Sequence, residues 1–213
     1  MRISGGVKED GIIVGNNYDK YASKNPIARW LMNGFDAALT EYVARVNPQT
    51  IHEIGCGEGY WTLRWAAQGL QVKGCDFSTQ VIALAKENAI QHALPESLFS
   101  ARSIYDLDTR QDSADLIVCC EVLEHLEHPQ VGLSALQRVV ENYLILSVPR
   151  EPVWRALNLA RGKYIRQAGN TPGHIQHWSK HSFIELVSEY FEVIDIRSPL
   201  PWTMVLCRQQ TRV

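Results

Sequence analysis

The chain has 213 residues, a formal net charge of −2 at pH 7 and a hydrophobic fraction of 46%. This length allows one well-buried domain rather than two, so residues 1–213 are expected to form a single unit. The nearly balanced charge gives no general attraction to nucleic acid, and no apolar run has the length of a membrane span or of a signal peptide. Five cysteines without a C-x-x-C pair indicate reduced thiols and a cytoplasmic location.

The first 17 residues contain several Gly and Asn residues and are expected to be irregular. A capping segment over about residues 18–47 follows. Its helix is predicted to begin at Asn25–Pro26 and to end before Asn47–Pro48. Apolar residues recur between these limits at helical spacing, which indicates a face packed on a core: Ile27, Trp30, Leu31, Phe35, Ala38, Leu39, Tyr42 and Val46.

A short apolar run at residues 50–54 ends in a glycine turn, defined by Gly55, Gly57 and Gly59, and a helix is predicted from Tyr60. Glycines let backbone N–H groups approach a ligand because no Cβ stands in the way. A dinucleotide-binding turn would need its third glycine at Tyr60, and a pyrophosphate would not favour Glu53 as a neighbour. The turn therefore predicts another ligand or, as the alternative, a tight connection without one.

A second strand is predicted at residues 70–75 and ends at Asp76. Asp76 follows the first glycine by about 20 residues, which is where a βαβ unit places a carboxylate to bind ribose hydroxyls. Phe77 is then expected to lie against an adenine ring. Alternatively Asp76 caps the next helix, a role that Ser78 can fill equally well.

Further strands are predicted at about residues 98–104, 115–120 and 143–148, with helical patterns between them. Ser179 is expected to cap a last helix, and residues 191–197 and 202–208 are predicted to form a closing hairpin. This order of elements predicts an α/β fold with a Rossmann-like, doubly wound, mostly parallel sheet and a C-terminal antiparallel hairpin strand. Ligands bind such sheets at the carboxyl ends of the strands.

Three parts of the sequence together resemble motifs of the class I S-adenosylmethionine-dependent methyltransferases: Glu53 with the glycine turn, Asp76, and the run from Glu121 to Leu126. The resemblance implies a single methyltransferase domain that binds S-adenosylmethionine. It assigns cofactor binding to residues at the ends of the strands: Glu53, Gly55, Cys56, Gly57, Gly59, Asp76, Phe77, Ser103, Ile104, Tyr105, Cys120 and Glu121. Ser103 departs from the family pattern, which often has an acidic residue here for the adenine amino group.

His125 follows the fourth strand and is the first candidate for a general base, with a surface or capping histidine as the alternative. Glu121, Glu124 and His125 form an E-x-x-E-H sequence that resembles small-RNA 2′-O-methyltransferases and, in part, ubiquinone-pathway O-methyltransferases. In the RNA enzymes a second histidine completes a Mg²⁺ site, and His174 stands at a similar offset before Trp178. The resemblance implies His125 and His174 as catalytic residues. It also offers, beside a metal-free base, a divalent metal held by both glutamates and both histidines.

Residues 149–178 fit no regular core element and are predicted to form a lid over the ligand edge of the sheet. The lid interleaves cations with apolar residues: Arg150, Arg155, Arg161, Lys163 and Arg166 with Trp154, Leu157, Leu159 and Tyr164. Two interpretations of this pattern stay open: an anionic or lipid-linked acceptor or peripheral membrane contact, and a solvated helix whose arginines cover the sheet edge.

The expected function is O-methylation of a small-molecule, sugar, quinone or lipid-linked acceptor. Nucleic acid is not the expected partner, because the chain has no net positive charge. Two alternatives stay open: an RNA 2′-O-methyltransferase and a non-catalytic module that only binds S-adenosylmethionine.

Overall fold

A computed structural model describes residues 1–9, 12–16 and 20–210 of the chain. Its strands are β1 (Lys8–Glu9), β2 (Ile12–Ile13), β3 (Thr50–Ile54), β4 (Gln71–Asp76), β5 (Phe99–Ala101), β6 (Ala114–Cys120), β7 (Val140–Pro149), β8 (Phe191–Arg197) and β9 (Trp202–Gln209). The main sheet has the order β5-β4-β3-β6-β7-β9-β8. The pairs from β5 to β7 are parallel, and β9 pairs antiparallel with both β7 and β8. The predicted fold class is confirmed.

Helices connect the strands on both faces of this sheet. They are α1 (Pro26–Val46), α2 (Tyr60–Ala67), α3 (Thr79–Gln91), α4 (Thr109–Asp112), α5 (Pro129–Val139), α6 (Val153–Ala160) and α7 (Lys180–Ser188). Short 3-10 helices follow β5 (Ile104–Asp106) and β6 (Leu123–His125), and two others precede β5 (Glu96–Leu98) and lie in the lid (Ile165–Gln167). Among the described residues, no helix has the length and apolar character that crossing a membrane would require.

The core lies on the two sides of β6, whose side chains alternate between them. Leu116 and Val118 pack with residues of α1 and α2, whereas Ile117 and Cys119 pack with residues of α5 and α7. Because β6 is buried on both faces, its sequence is a continuous apolar run rather than an alternating one. The strand thereby holds its carboxyl end, where Glu121 begins the E-x-x-E-H sequence, in the middle of the sheet.

The N-terminal segment is more ordered than its composition predicts. β1 and β2 pair antiparallel, and the segment is attached to the body through two carboxylates, Glu9 and Glu58. Helix α1 begins at Pro26 with the Asn25 side chain accepting from two backbone N–H groups, as the Asn–Pro pair predicts. The wider limits predicted for the capping segment include residues 18 and 19, which lie outside the described residues.

The lid contains regular structure that the sequence pattern did not reveal, namely α6 and one turn of 3-10 helix. The Asn158 side chain is buried and donates to the backbone oxygen of Gly169 at 2.8 Å and to Thr171 Oγ1 at 3.2 Å. The lid is also tied to the sheet edge, because the backbone N–H groups of Ile175 and Gln176 donate to the backbone oxygen of Glu124 at 2.9 and 3.0 Å. It is therefore a hydrogen-bonded unit and not an open loop.

Candidate active site

The glycine turn has positive φ at all three glycines, but they differ in their surroundings. A Cβ at Gly55 would collide with Val122, and a Cβ at Gly59 would collide with the ring of Phe99. At Gly57 the only heavy atom within 4 Å of an added Cβ is Asn16 Nδ2, at 3.9 Å, among the described residues. Packing therefore explains the first and third glycines, and only Gly57 faces open space of the kind that a ligand can occupy.

Asp76 lies at the end of β4, close to this open space. Its Oδ2 accepts from the Gly57 N–H at 3.1 Å, and its Oδ1 accepts from the Ser78 N–H at 3.0 Å. Burial raises the pKa of Asp76, while these hydrogen bonds oppose the rise. The carboxylate thus shapes the turn, and each oxygen retains lone pairs for a ligand hydroxyl. Ser78 caps α3 through its own hydroxyl, which leaves Asp76 free of that role.

Two aromatic side chains are exposed at the same edge of the sheet. Phe77 follows β4 and is 49% exposed, and Tyr105 follows β5 and is 38% exposed. Large apolar side chains with this exposure next to a crevice are suited to stack on a flat ring. Ser103 uses its hydroxyl to accept from the Tyr105 N–H at 3.3 Å, as an N-cap of the 3-10 helix.

Other residues predicted to bind the cofactor have buried side chains. Cys56 packs with residues of α2 and α3, and Ile104 packs in the core beside α5. The Cys120 thiol is near Ser147, and burial raises its pKa. Contact between a ligand and Cys56 or Ile104 is therefore expected through the main chain.

Glu53 is buried at the end of β3 and is bonded to the start of α2. Its Oε2 accepts from the Thr62 N–H at 2.9 Å and from Thr62 Oγ1 at 2.5 Å. Burial raises the pKa of Glu53 to about 7, although the bonds from Thr62 oppose the rise. At neutral pH this carboxyl group is consequently poised between its neutral and charged forms.

The N-terminal segment covers the glycine turn, which the sequence did not indicate. Glu58 Oε1 accepts from the N–H groups of Ser4 and Asn16 at 3.0 and 2.8 Å, and Oε2 accepts from Asn16 Nδ2 at 2.5 Å. Burial alone would raise the pKa of Glu58, but these three bonds lower it below its ordinary value. Asn16 is thereby held beside the open space at Gly57.

Glu121 has a left-handed backbone, with φ of 59°, which is uncommon for a residue other than glycine. Its carboxylate accepts from Ser147 Oγ at 3.0 Å and from the indole Nε1 of Trp202 at 2.6 Å. Burial, together with the nearby Glu124 carboxylate, raises the pKa of Glu121 to about 8. These contacts join β6, β7 and β9 at the centre of the carboxyl edge.

Glu124, His125 and His174 form one cluster, in which the potential ligand atoms lie within 4.8 Å of one another. Glu124 is only 1% exposed, and neither of its carboxylate oxygens has a hydrogen-bond partner among the residues that the structure describes. The structure therefore brings together three of the four residues that the resemblance implies for a metal. Glu121 is not in this cluster, because its carboxylate is engaged by Ser147 and Trp202.

The two histidines are held in different ways. His125 is exposed, and its Nδ1 lies 2.9 Å from the backbone oxygen of Gly173 in the lid. His174 is buried, and its ring meets the His125 ring edge-on at a centroid distance of 4.9 Å. Removal of the imidazoles from water lowers the pKa of both His125 and His174, and that of His174 falls to about 3. At neutral pH both imidazoles are accordingly neutral, so each can bind a cation through an unprotonated ring nitrogen. The low pKa of His174 makes it a weak proton acceptor, which leaves His125 as the candidate base.

Two tryptophans extend the site and were not predicted as part of it. Trp154 of α6 stacks on His174 at 5.7 Å, and Trp202 lies 5.8 Å from Trp154. The burial of the Glu124 carboxylate raises its pKa to about 8. No spacing in the sequence connects these tryptophans with the E-x-x-E-H run, because they come from the lid and from the last strand.

The chain is similar to methyltransferases in sequence and in structure. A family model described as a methyltransferase domain matches residues 52–145. A ubiquinone biosynthesis O-methyltransferase of Burkholderia thailandensis is 25% identical over 160 residues, which cover 68% of each chain. Another, of Paraburkholderia phytofirmans, is 27% identical over 139 residues, covering 58% of this chain and 60% of the relative.

Two solved structures share the fold. The magnesium protoporphyrin IX methyltransferase of Synechocystis, with bound S-adenosylhomocysteine, has a TM-score of 0.67 at 18% identity, over 89% of this chain and 90% of that one. The methyltransferase domain of bacterial CtHen1-CN has a TM-score of 0.65 at 22% identity, over 84% of this chain and 99% of that one.

The matched family model covers the glycine turn, Asp76 and the E-x-x-E-H run, which the fold places along one edge of the sheet. Sequence motifs and relatives agree on the class of enzyme, and the solved structures share its fold. The chain is a class I S-adenosylmethionine-dependent methyltransferase.

Proposed function

We propose that this methyltransferase transfers the methyl group of S-adenosylmethionine to a hydroxyl group of a small-molecule acceptor. The observation that carries the proposal is the cluster of Glu124, His125 and His174 at the carboxyl edge of β6. A neutral hydroxyl is a poor nucleophile and needs a base or a metal, whereas a sulfonium is already an activated methyl donor. The ubiquinone biosynthesis relatives carry O-methyltransferase in their names, which supports the same acceptor atom.

The cofactor is proposed to lie across the ends of β3, β4 and β5. Gly57 would allow close approach of the methionine part, with Glu53 nearby, and Asp76 would accept from the ribose hydroxyls. Phe77 and Tyr105 would lie against the adenine, which Ser103 and the backbone of Ile104 would border. The main chain at Cys120 and Glu121 would complete the site between cofactor and acceptor. This arrangement would direct the methyl group toward the histidine cluster.

The acceptor is proposed to be aromatic, since the cluster is bordered by flat rings. Trp154 and Trp202 flank His174 and Glu121, and stacking on such rings stabilises an aromatic ligand by about 0.5–1.5 kcal/mol. His125 would take the proton from the acceptor hydroxyl, because it is the exposed member of the cluster. His174 would orient His125 or share a bound cation with it.

A divalent metal at this cluster would account for the orphaned carboxylate of Glu124. A buried carboxylate without a hydrogen bond is costly, and a cation would offset that cost. One carboxylate and two neutral imidazoles suit Mn²⁺, Fe²⁺, Co²⁺ or Zn²⁺ better than Mg²⁺, which prefers oxygen ligands. When bound, such an ion would polarise the acceptor hydroxyl as a Lewis acid.

Acceptor chemistry is tested by incubating the protein with S-adenosylmethionine and a panel of phenols, catechols, sugars and thiols, and detecting the gain of one methyl group by mass spectrometry. The expected products are methyl ethers of phenols or catechols. His125→Ala should reduce their formation by about 10²–10⁴-fold. His128→Ala, in the same segment, serves as the control and should retain activity. Methylation of amines or thiols alone would contradict the proposal.

The metal is tested without relying on activity. Mn²⁺ should bind the full-length protein in a titration followed by electron paramagnetic resonance and should raise its melting temperature. Glu124→Gln, which keeps the shape of the side chain, should remove both effects. His174→Ala should do the same. In a separate methyl-transfer assay, the double variant His125→Ala with His174→Ala should lose little more activity than either single variant. Equal Mn²⁺ binding by wild type and Glu124→Gln would leave His125 as a metal-free base.

The lid is proposed to contact an anionic part of the acceptor or an anionic surface. Lys163 and Arg166 are exposed beside Ile165 and Leu159, which are 67% and 44% exposed. This combination supports peripheral attachment to anionic lipid. Stronger cosedimentation with vesicles containing anionic lipid than with neutral vesicles is expected, and Lys163→Ala with Arg166→Ala should abolish the difference. All five cysteines are free, which fits the proposed cytoplasmic location.

An RNA 2′-hydroxyl is the second candidate acceptor, favoured by the histidine cluster that the E-x-x-E-H sequence implies. Retention of a labelled small RNA on a filter, followed by methyl transfer at its 3′ end, would support this candidate over a small molecule. Tight S-adenosylmethionine binding without transfer to any acceptor tested would instead support a non-catalytic binding module.

A further inference from the structure

Lys20 lies at the ligand edge of the sheet, although it belongs to none of the motifs described above. The next residue, Tyr21, stacks on Tyr60 with 3.5 Å between the ring centroids and meets Trp61 edge-on at 6.0 Å. Tyr60 is the first residue of α2 and directly follows the glycine turn. These ring contacts fix the backbone beside Lys20 over the start of α2.

The Lys20 side chain is half-buried, and its Nζ lies 5.3 Å from the centre of the Tyr21 ring. The start of α2 is in turn bonded to the end of β3, because Thr62 donates to the carboxylate of Glu53. β3 is paired with β6, which leads into Glu121. The ammonium group is thus placed beside the ends of the two central strands of the sheet.

The ionisable groups of the site respond to this cation. Burial raises the pKa of three carboxyl groups, and the Lys20 ammonium opposes each rise; the three are Glu53, Glu121 and Glu124. Burial lowers the pKa of His125, and the same ammonium adds to the effect. Lys20 therefore lies within electrostatic range of the groups from which a base or a metal site was inferred.

A positive charge has a specific use at this position. An acceptor hydroxyl that loses its proton here becomes an anion close to several carboxyl groups, and like charges disfavour that anion. The imidazole of His125 is neutral until it receives the proton, so it offers no positive charge beforehand. The ammonium of Lys20 is charged throughout and attracts an oxygen anion.

We infer that Lys20 is a further catalytic residue, whose ammonium group binds the acceptor oxygen and stabilises it as an anion. The acceptor proton passes to Nε2 of His125, because Nδ1 faces the backbone oxygen of Gly173. The electron pair of the broken O–H bond stays on the acceptor oxygen, which makes this atom a better nucleophile. Lys20 keeps its own protons throughout. The inference rests on the proposed function for the hydroxyl acceptor.

Four variants separate charge from structure. Lys20→Met and Lys20→Gln both remove the charge, so the result does not depend on how well one replacement is tolerated. Lys20→Arg keeps the charge. Lys24→Met is the matched control, since Lys24 is an exposed lysine of the same segment. Binding of S-adenosylhomocysteine, measured by calorimetry, identifies the variants that retain a folded cofactor site.

The first test measures ionisation of a bound phenol and needs no turnover. The probe is 4-nitrocatechol, whose neutral and anionic forms absorb at different wavelengths, bound in the presence of S-adenosylhomocysteine and a chelator. On wild type, Lys20→Arg and Lys24→Met its ionisation should occur at least about one pH unit below that of the free probe. Without the charge at Lys20 this shift should disappear. A wild type that does not bind the probe, or leaves its ionisation unshifted, would overturn the inference, and so would a full shift in both uncharged variants.

The second test compares methyl transfer to two acceptors at pH 8. Lys20→Met should reduce kcat/KM for 4-methylcatechol at least about tenfold, but that for 4-nitrocatechol less than about threefold, because the nitro compound ionises without help. Losses of similar size for both acceptors would make Lys20 a structural residue and overturn the inference. A charge-dependent ionisation shift without methyl transfer would uphold the role of Lys20 and contradict the proposed acceptor chemistry. Methyl transfer with an unshifted ionisation would do the reverse.

Discussion

Gly57 is the residue whose surroundings most directly point to a ligand. Gly57→Val should weaken S-adenosylmethionine binding by at least about a hundredfold, because the added side chain enters the open space, and the left-handed backbone should cost about 1–2 kcal/mol of stability. Gly69→Val is the control, since Gly69 also has positive φ and nothing within 4 Å of an added Cβ, but lies after α2. Calorimetry and chemical denaturation distinguish the two effects. Similar binding by both variants would make Gly57 a purely structural residue.

Glu53 should make cofactor binding depend on pH. Its pKa of about 7 in the free protein means that the charged form, which would attract the cationic amino group of the cofactor at the proposed site, is a minority at pH 6 and a majority at pH 8. Affinity should therefore rise about tenfold between these two values. Glu53→Gln should remove this dependence in calorimetry at both pH values. A wild-type affinity that falls with pH would contradict the assignment of Glu53.

The N-terminal segment is an element whose attachment can be released selectively. Glu58→Ala removes the acceptor for Ser4 and Asn16, and it should increase hydrogen exchange over residues 1–9 and 12–16 and weaken cofactor binding by about tenfold. Glu87→Ala is the control: Glu87 pairs with Arg2 of the same segment, but both side chains are largely exposed, so the effect should be small. Faster exchange without loss of affinity would show that the segment has no part in cofactor binding.

The limits of several helices and strands could be predicted from local sequence patterns. The strand and helix limits predicted for α1, β3, β6 and the closing hairpin agree with the structure to within a few residues, because each run has one burial pattern and clear capping or proline signals. The lid helix and the N-terminal hairpin were missed. Their order depends on hydrogen bonds to distant residues, such as those from Ser4 to Glu58 and from Ile175 to Glu124.

The stability of the whole molecule should fall as pH rises, because three carboxyl groups are buried at the site. Burial raises the pKa of Glu53 to about 7 and that of both Glu121 and Glu124 to about 8. A folded-state pKa above the unfolded value means that the stabilisation is complete below the unfolded value, near 4.5, and is lost as pH rises through 7 to 8.

The ligand-free protein should accordingly lose at least about 1.4 kcal/mol of unfolding free energy between pH 5 and pH 8, the equivalent of one pKa unit. Glu124→Gln should reduce this loss, since the amide does not ionise. Urea denaturation at both pH values provides the measurement. A wild-type protein more stable at pH 8 than at pH 5 would show that other groups outweigh these three.

The sequence by itself determined the class of fold, the cofactor and the family. Strand and helix periodicity, the turn glycines and the position of Asp76 are local or separated by one βαβ unit, and geometry within such a unit is set by the chain itself. What the tertiary structure alone decided is the set of contacts made by residues far apart in the chain. It brought His174 to His125, joined the Glu121 carboxylate to the Trp202 indole outside the cluster of Glu124, His125 and His174, and set the β8–β9 loop against α1. Side-chain direction at such crossings depends on packing between elements, which no spacing along one element encodes.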